Sequence, residues 1–304
     1  MKTAFVFSGQ GAQKVGMGKD LYDKYPEAAG IFDKADEVLG WSISEICFNG
    51  PSEKLMETRY CQLAIYVMSV ACLEVFKKSH PEITPSAAAG LSLGEFSALY
   101  AAGAFSFEKG VKIIEKRATY MQEACEATQG GMASVMRGDL QVIKETCEEC
   151  EIDVANINSS GQIVISGEKN KVKATIAKLK EKGVNKIIPL KVAGAYHSRL
   201  MKSGETKLAE YLTDIELTKP LIPVAQNFVG ALVEDPSEIK QNIISQVTGS
   251  VQWVNCINSM KNIGIDTIVE FGPGNVLTGL IKRIAADIKT ANVNSVETAE
   301  NISL

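Results

Sequence analysis

Gly90-Leu91-Ser92-Leu93-Gly94 has the form G-x-S-x-G, a serine between two glycines. The small apolar run 86–89 precedes it and a helix-forming stretch from Glu95 follows, so the serine falls on a tight turn from strand to helix. A hydroxyl on such a turn projects outward, and the unpaired N–H groups and positive end of the next helix stabilise an oxyanion formed beside it. The chemistry is attack by a serine oxygen on an acyl carbon. That attack needs a base, and histidine is the usual one. The chain has only two histidines. His80, in Lys77-Lys78-Ser79-His80-Pro81, sits at a polar helix end before a proline and reads as an exposed residue. His197, in Ala193-Gly194-Ala195-Tyr196-His197-Ser198, lies between a strand and a helix start, where small neighbours allow close approach. His197 is therefore the candidate base, and an ordinary imidazole there predicts activity falling off at roughly pH 6 to 7. No Asp or Glu lies between Ile187 and Arg199, so no acidic third member is assigned.

Arg117 is the third notable residue. At about 100° per residue, Gly110, Ile113, Ile114, Met121 and Ala124 fall on its side of a helix, with Glu115, Thr119, Gln122 and Glu126 opposite. A guanidinium centred on an apolar stripe needs an anionic partner, because an unpaired buried charge costs several kcal/mol. Two readings stand: an internal salt bridge, or a bidentate grip on a ligand carboxylate. The seven cysteines offer less. Cys147-Glu148-Glu149-Cys150 is the only CxxC, and no second pair or nearby histidine completes the about four ligands of a zinc site.

The elements that must position these residues alternate between strand and helix, which predicts an α/β fold. Strands are expected at 3–7, 86–90 and 267–271, with helices at 59–76, 95–102 and 108–127. Later elements are a helix from Ser198, a strand near Pro223, helices around Ile239 and Trp253, and a helix from Val276. The segment between 131 and 192 reads β-α-β-β-α-β, the order of a ferredoxin-like module. It gives a small domain at 129–192 inserted into a larger one made of 1–128 and 193–304. With 304 residues, 45% hydrophobic and 22% charged, the chain is long enough for a well-buried core and unlike disordered, collagenous or coiled-coil sequences. A net charge of −4 argues against nucleic acid as the main partner. The longest unbroken apolar run, 63–68, is far short of a bilayer span, and the apolar start is too short for a signal peptide, so a cytoplasmic protein is expected.

Phe7-Ser8-Gly9-Gln10-Gly11-Ala12-Gln13, the run from Gly90 to Glu95, Arg117 with Met121-Gln122-Glu123-Ala124, Gly131-Met132-Ala133, Gly194-Ala195-Tyr196-His197, Val251-Gln252-Trp253 and Glu270-Phe271-Gly272-Pro273-Gly274 carry a resemblance. Together, in order along nearly the whole chain, they resemble malonyl-CoA:acyl carrier protein transacylases. That family has a large α/β-hydrolase-like domain and an inserted ferredoxin-like one. The resemblance implies Ser92 as nucleophile, His197 as base and Arg117 as holder of the malonyl carboxylate. It implies an oxyanion hole from the N–H groups of Gln10 and Leu93, and a main-chain carbonyl of Gln252 supporting His197. It implies malonyl-CoA and a phosphopantetheinyl acyl carrier protein as substrates, no bound cofactor, and a monomer.

Leu91 stands where fatty-acid-synthesis members usually have His, and Ser8 where many have Pro. Leucine there is similar to free-standing acyltransferases that load polyketide synthases, so the resemblance leaves fatty acid and polyketide supply both open. Tyr196 resembles the aromatic of malonyl-selective members, which leaves little room for an α-methyl group. The stretch 168–191 holds eight lysines and two glutamates, and 139–153 six acids and one lysine. The lysines form either a docking face for an acidic carrier protein or an ordinary solvated helix. Three other functions compete: a hydrolase that clears stalled acyl groups from carrier proteins, a catalytically idle carrier-binding scaffold, and a patatin-like lipase. The lipase leaves His197 and Arg117 without a use, and a hydrolase of simple acetyl chains leaves Arg117 without one.

Overall fold

Two β-sheets with helices packed on them organise residues 2–303, the part of the chain described by a computed structural model. In chain order the first elements are β1 (Thr3–Phe7), α1 (Lys19–Lys24), α2 (Pro26–Leu39), α3 (Ile43–Asn49), α4 (Ser52–Met56), α5 (Thr58–Ser79), β2 (Ala87–Gly90), α6 (Gly94–Ala101) and α7 (Phe107–Glu126). Then come β3 (Gly130–Met136), α8 (Leu140–Glu149), β4 (Asp153–Ser159), β5 (Gln162–Glu168), α9 (Lys169–Glu181) and β6 (Lys186–Pro189). A 3-10 turn at Arg199–Met201 leads into α10 (Lys202–Leu212), β7 (Val224–Gln226), β8 (Ala231–Val233) and α11 (Pro236–Ser245). The chain closes with α12 (Trp253–Asn262), β9 (Thr267–Phe271), α13 (Val276–Ile284), β10 (Lys289–Val293) and α14 (Val296–Glu300).

The larger sheet has the order β10-β9-β1-β2-β7-β8 and is parallel except for the β7–β8 hairpin. Strand β1 is buried along its whole length, as a central parallel strand covered on both faces must be. Its Phe5 and Phe7 join the core built around α5, while Ala4 and Val6 face the opposite core with Trp253 and Ile257 of α12. Helix α5 is long and apolar enough to cross a bilayer by length and composition, but protein encloses most of it. It is the buried helix expected at 59–76, extended by a turn's worth of residues across its two ends.

The smaller sheet is antiparallel, in the order β4-β5-β3-β6. Side chains alternate between its faces. Ala133, Val135, Ile163 and Ile165 pack with α8 and α9, which leaves Met132, Ser134, Gln162 and Val164 for the other face. The lysine-rich and acid-rich stretches meet across α8 and α9. Lys171 pairs with Glu151 at 2.6 Å, Lys182 with Glu149 at 3.0 Å and Lys178 with Glu149 at 3.6 Å.

The expected elements are present with ends shifted by a few residues, and the mixed α/β class stands. The stretch 19–56 carries four unforeseen helices. Three of them are short, but α2 carries a helical apolar period at Ala28, Ile31, Phe32, Ala35, Val38 and Leu39 that was there to be read. Strand β10 was also unforeseen: Lys289-Thr290-Ala291-Asn292-Val293 lies on a sheet edge, and only Val293 is buried.

Candidate active site

Strands β1 and β2 run in register, Phe7 beside Gly90, and end together on the side of the sheet where ligands collect in open α/β folds. The chain turns sharply there, with the N–H of Leu91 donating to the Phe7 carbonyl at 3.2 Å. Ser92 sits at the apex with φ of 52°, a left-handed conformation that costs a non-glycine residue about 1–3 kcal/mol. The flanking glycines supply space and not backbone freedom, since neither has a positive φ. A Cβ on Gly90 would overlap the backbone of Gly94, and one on Gly94 would overlap the Phe7 carbonyl. Close approach makes them necessary, and the serine itself carries the strain.

His197 also has positive φ, at 55°, and is 4% exposed. Its Nε2 lies 2.8 Å from Ser92 Oγ. Its Nδ1 lies 2.8 Å from the main-chain carbonyl oxygen of Gln246. This carbonyl corrects the expectation for Gln252. Gln252 precedes α12, and its carbonyl accepts the N–H of Cys256 instead, as the first residue of a helix requires. An Nδ1–H donated to Gln246 leaves Nε2 free to accept the serine proton. Burial, and secondarily the Arg117 charge, lower the imidazole to about 4, against the opposing pull of the Gln246 and Gly249 backbone. The activity loss expected near pH 6 to 7 therefore moves to lower pH.

Arg117, 1% exposed, resolves the choice between its two readings in part. Among the described residues no carboxylate pairs with it. Nη1 donates to Gln62 Oε1 at 2.6 Å, and Nη2 donates to Gln246 Oε1 at 2.8 Å and Ser92 Oγ at 3.2 Å. The guanidinium lies over the Phe96 ring, 5.2 Å from its centroid. Nε is buried with no partner. Burial lowers Arg117 to about 10, with Glu95 acting in the opposite direction, so it stays cationic at neutral pH. Gln122, placed on the polar side of this helix by its angle, is buried instead because the start of α5 covers it: its Oε1 accepts the N–H of Thr58 at 3.1 Å.

Behind the turn lies a polar cluster of which only Glu95 falls within a sequence motif. Asn227 Oδ1 accepts the N–H of Ser92 at 2.6 Å, and its Nδ2 donates to the Gly90 carbonyl at 2.8 Å. The N–H of Asn227 donates to Glu95 Oε2 at 2.6 Å, and Gln226 Nε2 donates to Glu95 Oε1 at 3.2 Å. Glu95 is fully buried, and burial raises it to about 7 against its hydrogen bonds and the Arg117 charge. Gln246 also spans the site through its Nε2, which donates to the Ser92 carbonyl at 3.1 Å.

A cavity of about 670 Å³ opens in front of Ser92 and His197, walled by both sheets. Gln10, Leu91, Met121 and Tyr196 line it from one side; Met132, Ser134, Asn156 and Gln162 line it from the other. The Tyr196 hydroxyl bonds Thr58 Oγ1, which fixes the ring against the cavity wall. Leu93 is buried at the start of α6, and Gln252 is not among the lining residues. His80 caps the far end of α5 and packs on Phe76, remote from this site.

A serine hydroxyl on a strained turn, bonded to a histidine whose other nitrogen is locked, beside a helix start and a buried cation, is an arrangement suited to the acyl chemistry of a serine–histidine enzyme. The chain belongs to the acyl transferase domain family, whose model matches residues 4–300. It is 40% identical to the malonyl CoA-acyl carrier protein transacylase of Bacillus subtilis (strain 168), over 98% of this chain and 95% of that one. Its fold is similar to the crystal structure of MCAT from Streptococcus pneumoniae, with a TM-score of 0.94, 37% identity, and 99% and 100% of the two chains covered. It is also similar to the malonyl-transacylase in the PlMCAT:AntF (holo) complex with a type II PKS acyl-carrier protein, at TM-score 0.93 and 34% identity, covering 99% and 98%.

Proposed function

We propose that this enzyme moves a malonyl group from malonyl-CoA to the phosphopantetheine thiol of an acyl carrier protein through an ester on Ser92. The observation that carries the reading is Arg117: a buried cation 3.2 Å from Ser92 Oγ, with amide oxygens and, among the described residues, no carboxylate as partners, and with Nε unsatisfied. Such a group gains most from a ligand carboxylate, which accepts charge-assisted, bidentate hydrogen bonds.

In the first half-reaction Ser92 Oγ bonds the thioester carbon while its proton passes to His197 Nε2. The N–H groups of Gln10 and Leu93 face the oxyanion. The C–S bond breaks, and His197 returns the proton to the departing coenzyme A sulfur. In the second, the carrier thiol gives its proton to His197 and attacks the ester carbon, and Ser92 leaves with the proton. Both halves balance without a cofactor. Gln246, through its carbonyl, holds the required imidazole tautomer in place of an acidic residue. A hydrolase of simple acyl chains leaves the buried cation unused.

The two sheets support a reading as an α/β-hydrolase-like domain (1–128 and 193–304) carrying a ferredoxin-like insert (129–192). The β4-β5-β3-β6 order of the smaller sheet is the pairing that a β-α-β-β-α-β module of that kind adopts. Labelled malonyl-CoA tests the proposal: label should appear on Ser92 and then on an added carrier protein, and Ser92→Ala should take up none. Rapid release of free malonate with no carrier labelling would overturn transfer in favour of hydrolysis.

A further inference from the structure

Ser92 holds its left-handed backbone although no glycine stands there and its flanking glycines contribute space alone. Something must hold the turn in that state, since it relaxes unless its surroundings over-determine it. Asn227 touches both sides of it. One amide atom accepts from Ser92 N–H and the other donates to the carbonyl two residues earlier, on Gly90. The carboxylate of Glu95, on the helix that the turn begins, accepts the main-chain N–H of Asn227 and so ties β7 to α6. The Asn227 side chain is fully buried, as is Glu95, so water does not compete for these bonds.

We infer that Asn227, seated by Glu95, is a positioning residue that keeps the Ser92 turn in its reactive conformation without touching the substrate. The inference rests on Ser92 being the nucleophile. An asparagine is required because one position must offer an acceptor and a donor side by side. Aspartate has the same shape but, when ionised, only acceptors, so it would turn an oxygen against the Gly90 carbonyl. Protonated, its hydroxyl could donate to Gly90 again. The titratable or charged groups that face this position are Glu95 on α6, Cys256 on α12, whose thiol lies 3.9 Å from Asn227 Nδ2, and, beyond Glu95, Arg117 on α7.

The test measures the rate of Ser92 acylation by malonyl-CoA in single turnovers, together with labelling by a serine-directed fluorophosphonate that does not need Arg117. Asn227→Ala should slow both by roughly 10- to 100-fold, with KM for malonyl-CoA changed less than twofold. Asn227→Asp should be impaired at pH 8 and recover toward the wild-type rate as pH falls to 5, a change in the ratio of the two enzymes that loss of packing would not produce. Wild-type rates in Asn227→Ala, or an Asn227→Asp ratio that is constant with pH in a folded protein, would overturn the inference. Acylation that persists in Ser92→Ala would overturn the nucleophile assignment instead.

Discussion

A buried imidazole loses basicity, and His197, the proposed base, shows the sign of that effect. Its imidazole is lowered to about 4, with burial the larger cause and the Arg117 cation the second. Above that value it is neutral and competent, and as pH falls through it the proton acceptor is lost. Acylation rates measured from pH 8 to 5 should therefore be level with respect to this group and drop only near 4; a midpoint at 6 to 7 would show an imidazole with ordinary solvation. The same shift bears on stability. The unfolded chain binds this proton near 6.5, so stability from the neutral, buried form is lost as pH drops from there to 4. For Arg117 the expectation concerns substrate choice. Arg117→Ala should cut kcat/KM for malonyl-CoA by about 10- to 100-fold, the scale of one charge-assisted interaction. Acetyl-CoA turnover should change far less, and equal losses for both thioesters would mean that Arg117 only supports the fold.

At the scale of elements, what was legible depended on whether function resides in a side chain or in a backbone group. Ser92 and His197 stand out by type and by flanking small residues. The carbonyl that locks His197 has no side-chain identity to read, and Gln246 and Gln252 lie only six positions apart in one loop. Only folded geometry decides between them. Asn227 was equally hidden, since it follows the three-residue β7 and no motif surrounds it. The glycines of the turn, in contrast, were visible and their reason was not. Gly94→Ala places a methyl against the carbonyl of Phe7, which as backbone cannot swing aside, so it should destabilise by roughly 1–3 kcal/mol and depress Ser92 labelling further. Gly30→Ala, inside α2 with open space at its Cβ, should have the opposite sign and stabilise by about 0.5–1 kcal/mol. Paired thermal melts of the two variants check both signs.

For the whole molecule, the charge pattern of the small sheet carries a lesson about reading counts along a chain. Eight lysines within 168–191 look like a docking face, yet Lys171, Lys178 and Lys182 are spent on Glu149 and Glu151 of the neighbouring segment. Lys191 differs. It lines the cavity mouth between the exposed side chains of Leu190 and Val192. Lys191→Glu should raise KM several-fold for both malonyl-CoA and carrier protein, since both bring a phosphopantetheine anion past it, and added salt should shrink the difference. Lys178→Glu with Lys182→Glu should leave both KM values near wild type. The reverse pattern, measured at low salt, would return the docking role to α9.

The loop between α11 and α12 also pairs with the smaller sheet. Val251 forms a bridge with β4, its N–H donating to Ala155 at 2.8 Å and its carbonyl accepting from Ile157 at 2.9 Å. It lies five residues beyond Gln246, on the loop that orients the base. The cavity thus has a riveted seam along one wall. Parting the seam would break both bonds and shift the loop that carries Gln246, so the expectation is that a long pantetheine arm enters end-first past the mouth. Deuterium uptake at the Val251 and Ile157 amides, slow with or without ligand, would be the mark of a burrow with fixed walls.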